Sequence, residues 1–276
     1  MRKVVKTAKK NYLFVIFALG IFIVGFYIVS KSVFSKPSYV YVKVKVGQGL
    51  WWAATTRPNN WYAQSIKVGD TKLGMGGKPD AHVLSVRRYP SPTITWLSNQ
   101  YDVYVTLLLK SGLNKKTGGY SYNRGQLSIG SPIEVQFPKV DLTGTVIEIS
   151  EKPFLDEFVY KTIYLVYQGG FNEDFPYRYN NIQIGGTYND GTGIVFEVID
   201  KALEKNIWPI ANNLTGYVYE REITTTQNIV VKAKVKLLKK TSGLFYGEDY
   251  KVTVNASIPF YTDNYYFENF QIRKIE

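Results

Sequence analysis

One short pattern governs what this chain can fold into. Ile129-Gly130-Ser131-Pro132-Ile133-Glu134-Val135 leads, after a turn, to Gly144-Thr145-Val146-Ile147-Glu148-Ile149. This reads as strand, turn, strand. In the second strand Thr145, Ile147 and Ile149 share one face and Val146 and Glu148 the other, the two-residue period of a pleated chain. The pattern returns at Ile66-Lys67-Val68-Gly69-Asp70 before Ala81–Val86, and at Ile184-Gly185-Gly186 before Gly193–Val198. A looser copy runs from Lys251–Val254 to Phe270–Ile275. Landmarks such as Val44 and Leu165, or Gly69 and Gly185, stand roughly 112 to 130 residues apart, the spacing of a duplicated domain rather than of a short solenoid repeat.

The longer strands support this reading. Val40, Val42, Val44 and Val46 alternate with Tyr39, Tyr41, Lys43 and Lys45, so one face is expected to be buried and one wet. Val103, Val105, Leu107 and Leu109 repeat the pattern, as do Val231, Ala233, Val235 and Leu237 with Lys232, Lys234 and Lys236 facing out. The outward lysines read as a solvated face that discourages edge pairing; the alternative is contact with acidic lipid or wall polymer. A single sheet would leave its apolar face wet, so closure or a second sheet is required. The expected fold is all-β: an N-terminal transmembrane helix, then two tandem, internally repeated small β-barrel or β-sandwich domains. Pro153 sets the boundary, giving domains over 37–152 and 153–276. The second carries an insertion at about 200–215, where Asp200 would N-cap a short helix and Pro209 would stop it.

Tyr12–Val29 is an apolar run without a charge, long enough as a helix for a hydrocarbon core of about 30 Å. Arg2, Lys3, Lys6, Lys9 and Lys10 precede it, and only Lys31 and Lys36 follow soon after. The positive-inside rule then places the N-terminus in the cytoplasm and the rest outside, in a periplasm or at an open surface. A cleaved signal peptide is the alternative; the run is longer than such a core, and Ser30-Lys31-Ser32 is a poor cleavage site. Residues 1–36 thus form a basic tail and anchor. They hold much of the formal +12 charge, and the remainder is too mildly basic to suggest nucleic acid.

Ile129–Val135, with Phe137-Pro138 and Gly144-Thr145-Val146, resembles the β-barrel strand pair of periplasmic adaptor (membrane fusion) proteins. The repeated layout that begins with Val68-Gly69-Asp70, behind one N-terminal helix, is similar to an uncharacterised bacterial family of single-pass envelope proteins with duplicated β-domains. The resemblance implies a β-barrel fold and an envelope location. The chain lacks the long heptad-bearing helical hairpin through which adaptors reach an outer-membrane partner.

Little here points to catalysis. There is no cysteine, which excludes disulfides, Cys-ligated metal and a thiol nucleophile. His82 is the one histidine, so every histidine-dependent triad would have to use it, and a multi-histidine zinc site is impossible. Asp156/Glu157, Glu173/Asp174 and Glu248/Asp249 are adjacent acids near turns; neighbours on a strand face opposite ways and read as solvated charge. No cofactor and no resident metal are expected. Two aromatic loops remain, with Trp51, Trp52, Trp61 and Tyr62 in the first unit and Phe171, Phe175, Tyr177 and Tyr179 in the second. They either plug the barrel ends or bind a partner protein or glycan. The expectation is a non-enzymatic, membrane-anchored binding or scaffolding protein of a cell-envelope complex. A wall- or surface-glycan module and an adaptor-like component of an export system are the alternatives.

Overall fold

The computed structural model describes residues 16–17, 19–27, 38–47, 57–74, 77–91, 100–113, 118–123, 125–168, 175–211 and 215–276. Met1–Ser38 forms one compact unit, in which residues 16–17 and 19–27 are helical and exposed. Among the described residues no helix is long and apolar enough to cross a membrane. Residues 12–15, 18 and 28–29 of the expected span lie outside the described residues.

The second unit, Tyr39–Glu276, is built of strands. Its first module comprises β1 (Ser38–Val46), α1 (Asn60–Ser65), β2 (Thr71–Leu73), β3 (Pro79–Pro90), β4 (Tyr101–Leu113), β5 (Tyr120–Tyr122), β6 (Gly125–Leu127), β7 (Pro132–Gln136) and β8 (Asp141–Ser150). The second comprises β9 (Glu157–Gln168), α2 (Phe175–Asn181), β10 (Thr187–Asn189), β11 (Ile194–Ala211), β12 (Val218–Lys240), β13 (Gly243–Tyr246), β14 (Tyr250–Lys251), β15 (Ser257–Thr262) and β16 (Tyr265–Ile275). The first sheet runs β2-β3-β4-β1-β8-β7, with β5 on β4 and β6 on β5; the second runs β10-β11-β12-β9-β16-β15, with β13 on β12 and β14 on β13. The modules match element for element. Each order also reads the same after exchanging its halves, β1 for β4, β2 for β7 and β3 for β8. Both sheets curl toward barrels. In the second, the edges are joined by the Asp263 N–H donating to the Thr187 carbonyl at 2.7 Å.

The repeated pattern is a repeated backbone device. Gly69, Gly130, Gly185 and Asn255 have φ of 94°, 85°, 81° and 70°. Each donates its N–H to a long strand, at Val83, Val146, Val198 and Ile272 respectively. That strand residue donates back to the carbonyl of the position following the turn residue, at Asp70, Ser131, Gly186 and Ala256. The same following position closes the turn onto the carbonyl three residues earlier, at Lys67, Ser128, Gln183 and Thr253. A turn with φ > 0 at its third position calls for glycine or asparagine there, so Asn255 takes the role in the looser copy. One residue beyond each anchor the register shifts, passing over Leu84, Ile147, Ile199 and Arg273. These bulges bend the strand at the same place in all four copies.

The alternating residues fill two cores. Val40, Val42, Val44, Val103, Val105, Leu107 and Leu109 are fully buried in the first, and Ile163, Leu165, Val231, Ala233, Val235 and Leu237 in the second. The side chains of Tyr89 and Tyr104, on β3 and β4 of the first sheet, pack in the second core.

Three expectations are corrected. The two stretches expected as aromatic loops end in the short helices α1 and α2. The helix expected at Asp200 is absent: β11 runs on to Ala211 and pairs with β12 down to Ala211↔Val218. Cross-strand bonds satisfy that backbone, and Pro209, opposite Glu220, is tolerated because among the described residues no third strand pairs with the ribbon beyond Asn228↔Gln168. Last, Lys43 does not face water; it is 3% exposed.

The glycines rank by what a side chain would meet. A Cβ at Gly144 would lie 2.4 Å from the Lys45 carbonyl oxygen, whereas at Gly69 nothing lies within 4 Å. Gly69→Ala is expected to cost about 1 to 2 kcal/mol from its backbone angle alone. Gly144→Ala should cost more than Gly69→Ala, because β1 and β8 must part. Urea denaturation of the two variants measures the order, and equal losses would contradict it.

Candidate functional site

The most constrained chemistry lies where the modules meet. β1 and β3 of the first present Lys43 and Arg87. The segment before β9 supplies Asp156, and the turn between β13 and β14 supplies Glu248 and Asp249. Lys43 Nζ stands 3.2 Å from Glu148, 3.2 Å from Asp156 and 3.5 Å from Glu248. Arg87 donates to Glu248 Oε1 at 2.8 Å and also to Asp156. Lys240 reaches Glu248 from the other side at 3.0 Å. The side chains of Lys43 and Glu248 are 3% and 2% exposed. Beside this cluster, Asp249 accepts from Lys45 and from the Tyr104 hydroxyl at 2.6 Å, and Asp102 accepts from Arg57 at 3.0 Å.

Burial by itself would lower the pKa of the Lys43 ammonium; Glu248, Asp156 and Glu148 outweigh it and raise it above the ordinary lysine value. Burial likewise pushes Asp156 up, yet the Arg87 hydrogen bond and the Lys43 charge hold it below the usual carboxylate range. Asp249 is held low in the same way by Lys45 and Tyr104. Lys43, Asp156 and Asp249 therefore stay ionised at neutral pH. Buried charges left unpaired are costly, so geometries that separate these partners are disfavoured.

A second clasp grips β3. The Arg88 N–H donates to the Asp190 carbonyl at 2.8 Å, and the Tyr89 hydroxyl donates to Asp190 Oδ2 at 2.8 Å. Asp190 Oδ1 accepts from the backbone N–H and hydroxyl of Thr192, each at 2.7 Å. The Asn189–Gly193 stretch is a turn, as its composition suggests, and the turn closes on the other module. Gly191 has φ 104°, and a Cβ there would meet the Val86 carbonyl at 2.9 Å.

The predicted aromatic sites separate into two groups. Trp51, Trp52 and Phe171 lie outside the described residues, and Phe175 opens α2. Tyr62 is buried: its hydroxyl donates to the Asp141 carbonyl at 2.6 Å and accepts from the Thr143 N–H at 3.3 Å. With Ala63 and Ile66 it closes α1 onto the first core. Tyr179 is half-buried under Lys201, whose Nζ sits 4.3 Å from the ring centroid. Trp61 and Tyr177 face outward, each 68% exposed. Both stand five positions before the buried Ile66 and Ile182, so the two modules expose a large aromatic at the same place. The helical turns that set Trp61 apart from Tyr62, and Tyr177 apart from Tyr179, leave no mark in the sequence pattern.

The other candidates have local partners. His82 Nδ1 lies 2.7 Å from the Thr71 hydroxyl across the β2–β3 pair. Glu157 pairs with Lys239 at 2.8 Å, and Glu173 and Asp174 lie outside the described residues. The acids read as solvated at Asp156 and Glu248 are instead joint residues. Among the described residues no group of three or more histidine or acidic side chains is placed to hold a metal. A polar cleft of about 380 Å³ opens between the edge strands β2 and β7, lined by Lys72, Tyr122, Gln126, Glu134 and Gln136. Lys72 there spans Asp80 at 3.7 Å and the Tyr122 hydroxyl at 3.4 Å. Comparison with protein-family models, curated proteins and solved structures finds no match to this chain.

Arg87→Ala leaves Asp156 and Glu248 short of a buried partner and is expected to cost about 3 to 5 kcal/mol, while exposed Lys234→Ala stays within about 0.5 kcal/mol. Guanidinium denaturation compares them, and a loss below about 1 kcal/mol at Arg87 would contradict the assignment. The pH dependence has a definite sign. The Asp156 and Asp249 contributions are present above the unfolded carboxylate pKa of about 3.9 and fade as pH falls through their lowered values. The Lys43 contribution is full below about 10.4 and fades as pH rises through its raised value. From these groups, stability should be flat between those limits.

Proposed function

We propose that this chain is a membrane-anchored, extracytoplasmic, non-enzymatic protein that binds or scaffolds other proteins of a cell-envelope complex through its duplicated β-modules. The observation that carries the reading is the matched exposure of Trp61 and Tyr177 on two modules joined by a buried ion cluster. A rigid pair of anchors at fixed separation loses little conformational freedom on binding, and large aromatics dominate interface energetics. Support for the anchor comes from the uncharged run Tyr12–Val29 behind five basic residues. A second reading, recognition of a surface glycan, draws on the same two rings, whose faces suit sugar stacking.

Since the chain has no cysteine, a single Lys161→Cys reports its side of the membrane. A membrane-impermeant maleimide should label it in intact cells whose outer layers are permeabilised, and labelling only after lysis would place the modules inside. Crosslinking in membranes should join the unaltered chain to one defined protein, and Trp61→Ala with Tyr177→Ala should remove that product at unchanged abundance. Sedimentation with purified envelope glycan, lost in the same variant, would favour the second reading. A crosslink pattern identical in the variant would contradict both.

A further inference from the structure

The outer face of the second sheet carries a feature that the sequence reading explained as edge protection. Lys232, Lys234 and Lys236 stand in a row on β12. That strand is not an edge: it lies between β11 and β9. Guarding against strand pairing therefore cannot account for them.

Each lysine is seated on an aromatic ring of β9. Lys232 Nζ lies 5.5 Å from the centroid of Tyr164, Lys234 5.2 Å from Tyr160, and Lys236 4.4 Å from Phe158. Lys274 of β16 adds a fourth charge over Tyr164 at 5.5 Å. Lys274 is paired with Glu276, but Lys232, Lys234 and Lys236 make no ion pair among the described residues. Glu197 lies opposite Lys234 in the ladder, and Asp200 opposite Lys232. The first module shows what becomes of its own outward cations: Lys43, Lys45 and Arg87 are met by acids, several of them from the second module. Among the described residues the row on β12 makes no such ion pair, although the charge of Lys232 helps to hold the Glu276 carboxyl below its ordinary value.

The geometry points to a docking face for a linear phosphodiester polymer, one anionic phosphate per repeat, laid along β12. Alternate residues of a strand are about 7 Å apart on one face, so the ammonium groups form a regular line. Lysine meets a phosphate as a point charge, without the planar fork of arginine, so a line of ammonium groups suits a line of singly charged phosphates. Seating on the rings restricts the lysine rotamers; Lys234 is exposed, and Lys232 and Lys236 are half-buried. The same seating occupies ring faces that would otherwise stack on bases, which disfavours single-stranded nucleic acid as the occupant.

The test uses the full chain in neutral detergent and a glycerol-phosphate homopolymer as probe, titrated calorimetrically at two salt concentrations. The unaltered chain should bind, more weakly at higher salt. The K232Q/K234Q/K236Q variant should bind at least tenfold more weakly, with the log–log salt slope reduced by about two units, near 0.7 for each lost contact. Glu197→Gln should tighten binding twofold or more. Unchanged melting confirms that the triple variant is folded; if it is not, Lys234→Gln alone should still weaken binding about threefold, in keeping with one lost phosphate contact. Equal affinity in the lysine variants overturns the proposal, as does binding confined to anionic vesicles, to an oligonucleotide or to an acidic peptide. The assay needs only the folded modules, so its failure leaves the envelope reading standing, and the cysteine-labelling result has no bearing on it.

Discussion

A lysine enclosed by three carboxylates, with an arginine bridging two of them, is the constraint on which the arrangement of this protein depends. Removing Lys43, Arg87 and Glu248 from water is unfavourable for each separately. It becomes acceptable only when β1, β3, the segment before β9 and the β13–β14 turn meet in one geometry. Apolar burial holds each module together. At the joint, a slip would strand at least one buried charge, which disfavours other geometries. The side chains of Tyr89 and Tyr104, from β3 and β4, add apolar area to the same joint.

Within the modules a different economy operates. One turn with a left-handed residue and one bulge, used four times, sets where each long strand bends. Bending lets six strands close over a core of valines, leucines and isoleucines with few exposed edges. The copies then diverged in what they present outward. The first sheet's outer face became a joint, while the equivalent region of the second became a lysine row on aromatic supports.

The inward alternation at Val40–Val46 and at Val231–Leu237 was legible because a strand's side chains alternate whatever surrounds it. Three of the four turns were legible because glycine beside a hairpin marks a backbone need; the fourth uses Asn255, which carries no such mark. Lys43 was not legible. Alternation says which face a residue points to, and it does not say whether that face meets water or another module; its partner Asp156 is 113 residues away. Arg87 and Glu248, 161 residues apart, were hidden for the same reason. Asp200 and Pro209 read as helix signals, yet pairing with a distant strand overrode those local preferences. Of the aromatic candidates, the equivalence of Trp61 and Tyr177 emerged only once Ile66 and Ile182 were seen as the buried residues that position them.

Charges shared across the joint should make the two modules unfold as one body. Differential scanning calorimetry of the unaltered chain at neutral pH tests this most directly. A single transition whose calorimetric and van't Hoff enthalpies agree is the expected result. Two separable transitions, one for each sheet, would show that the buried charges do not couple the modules and would contradict the account.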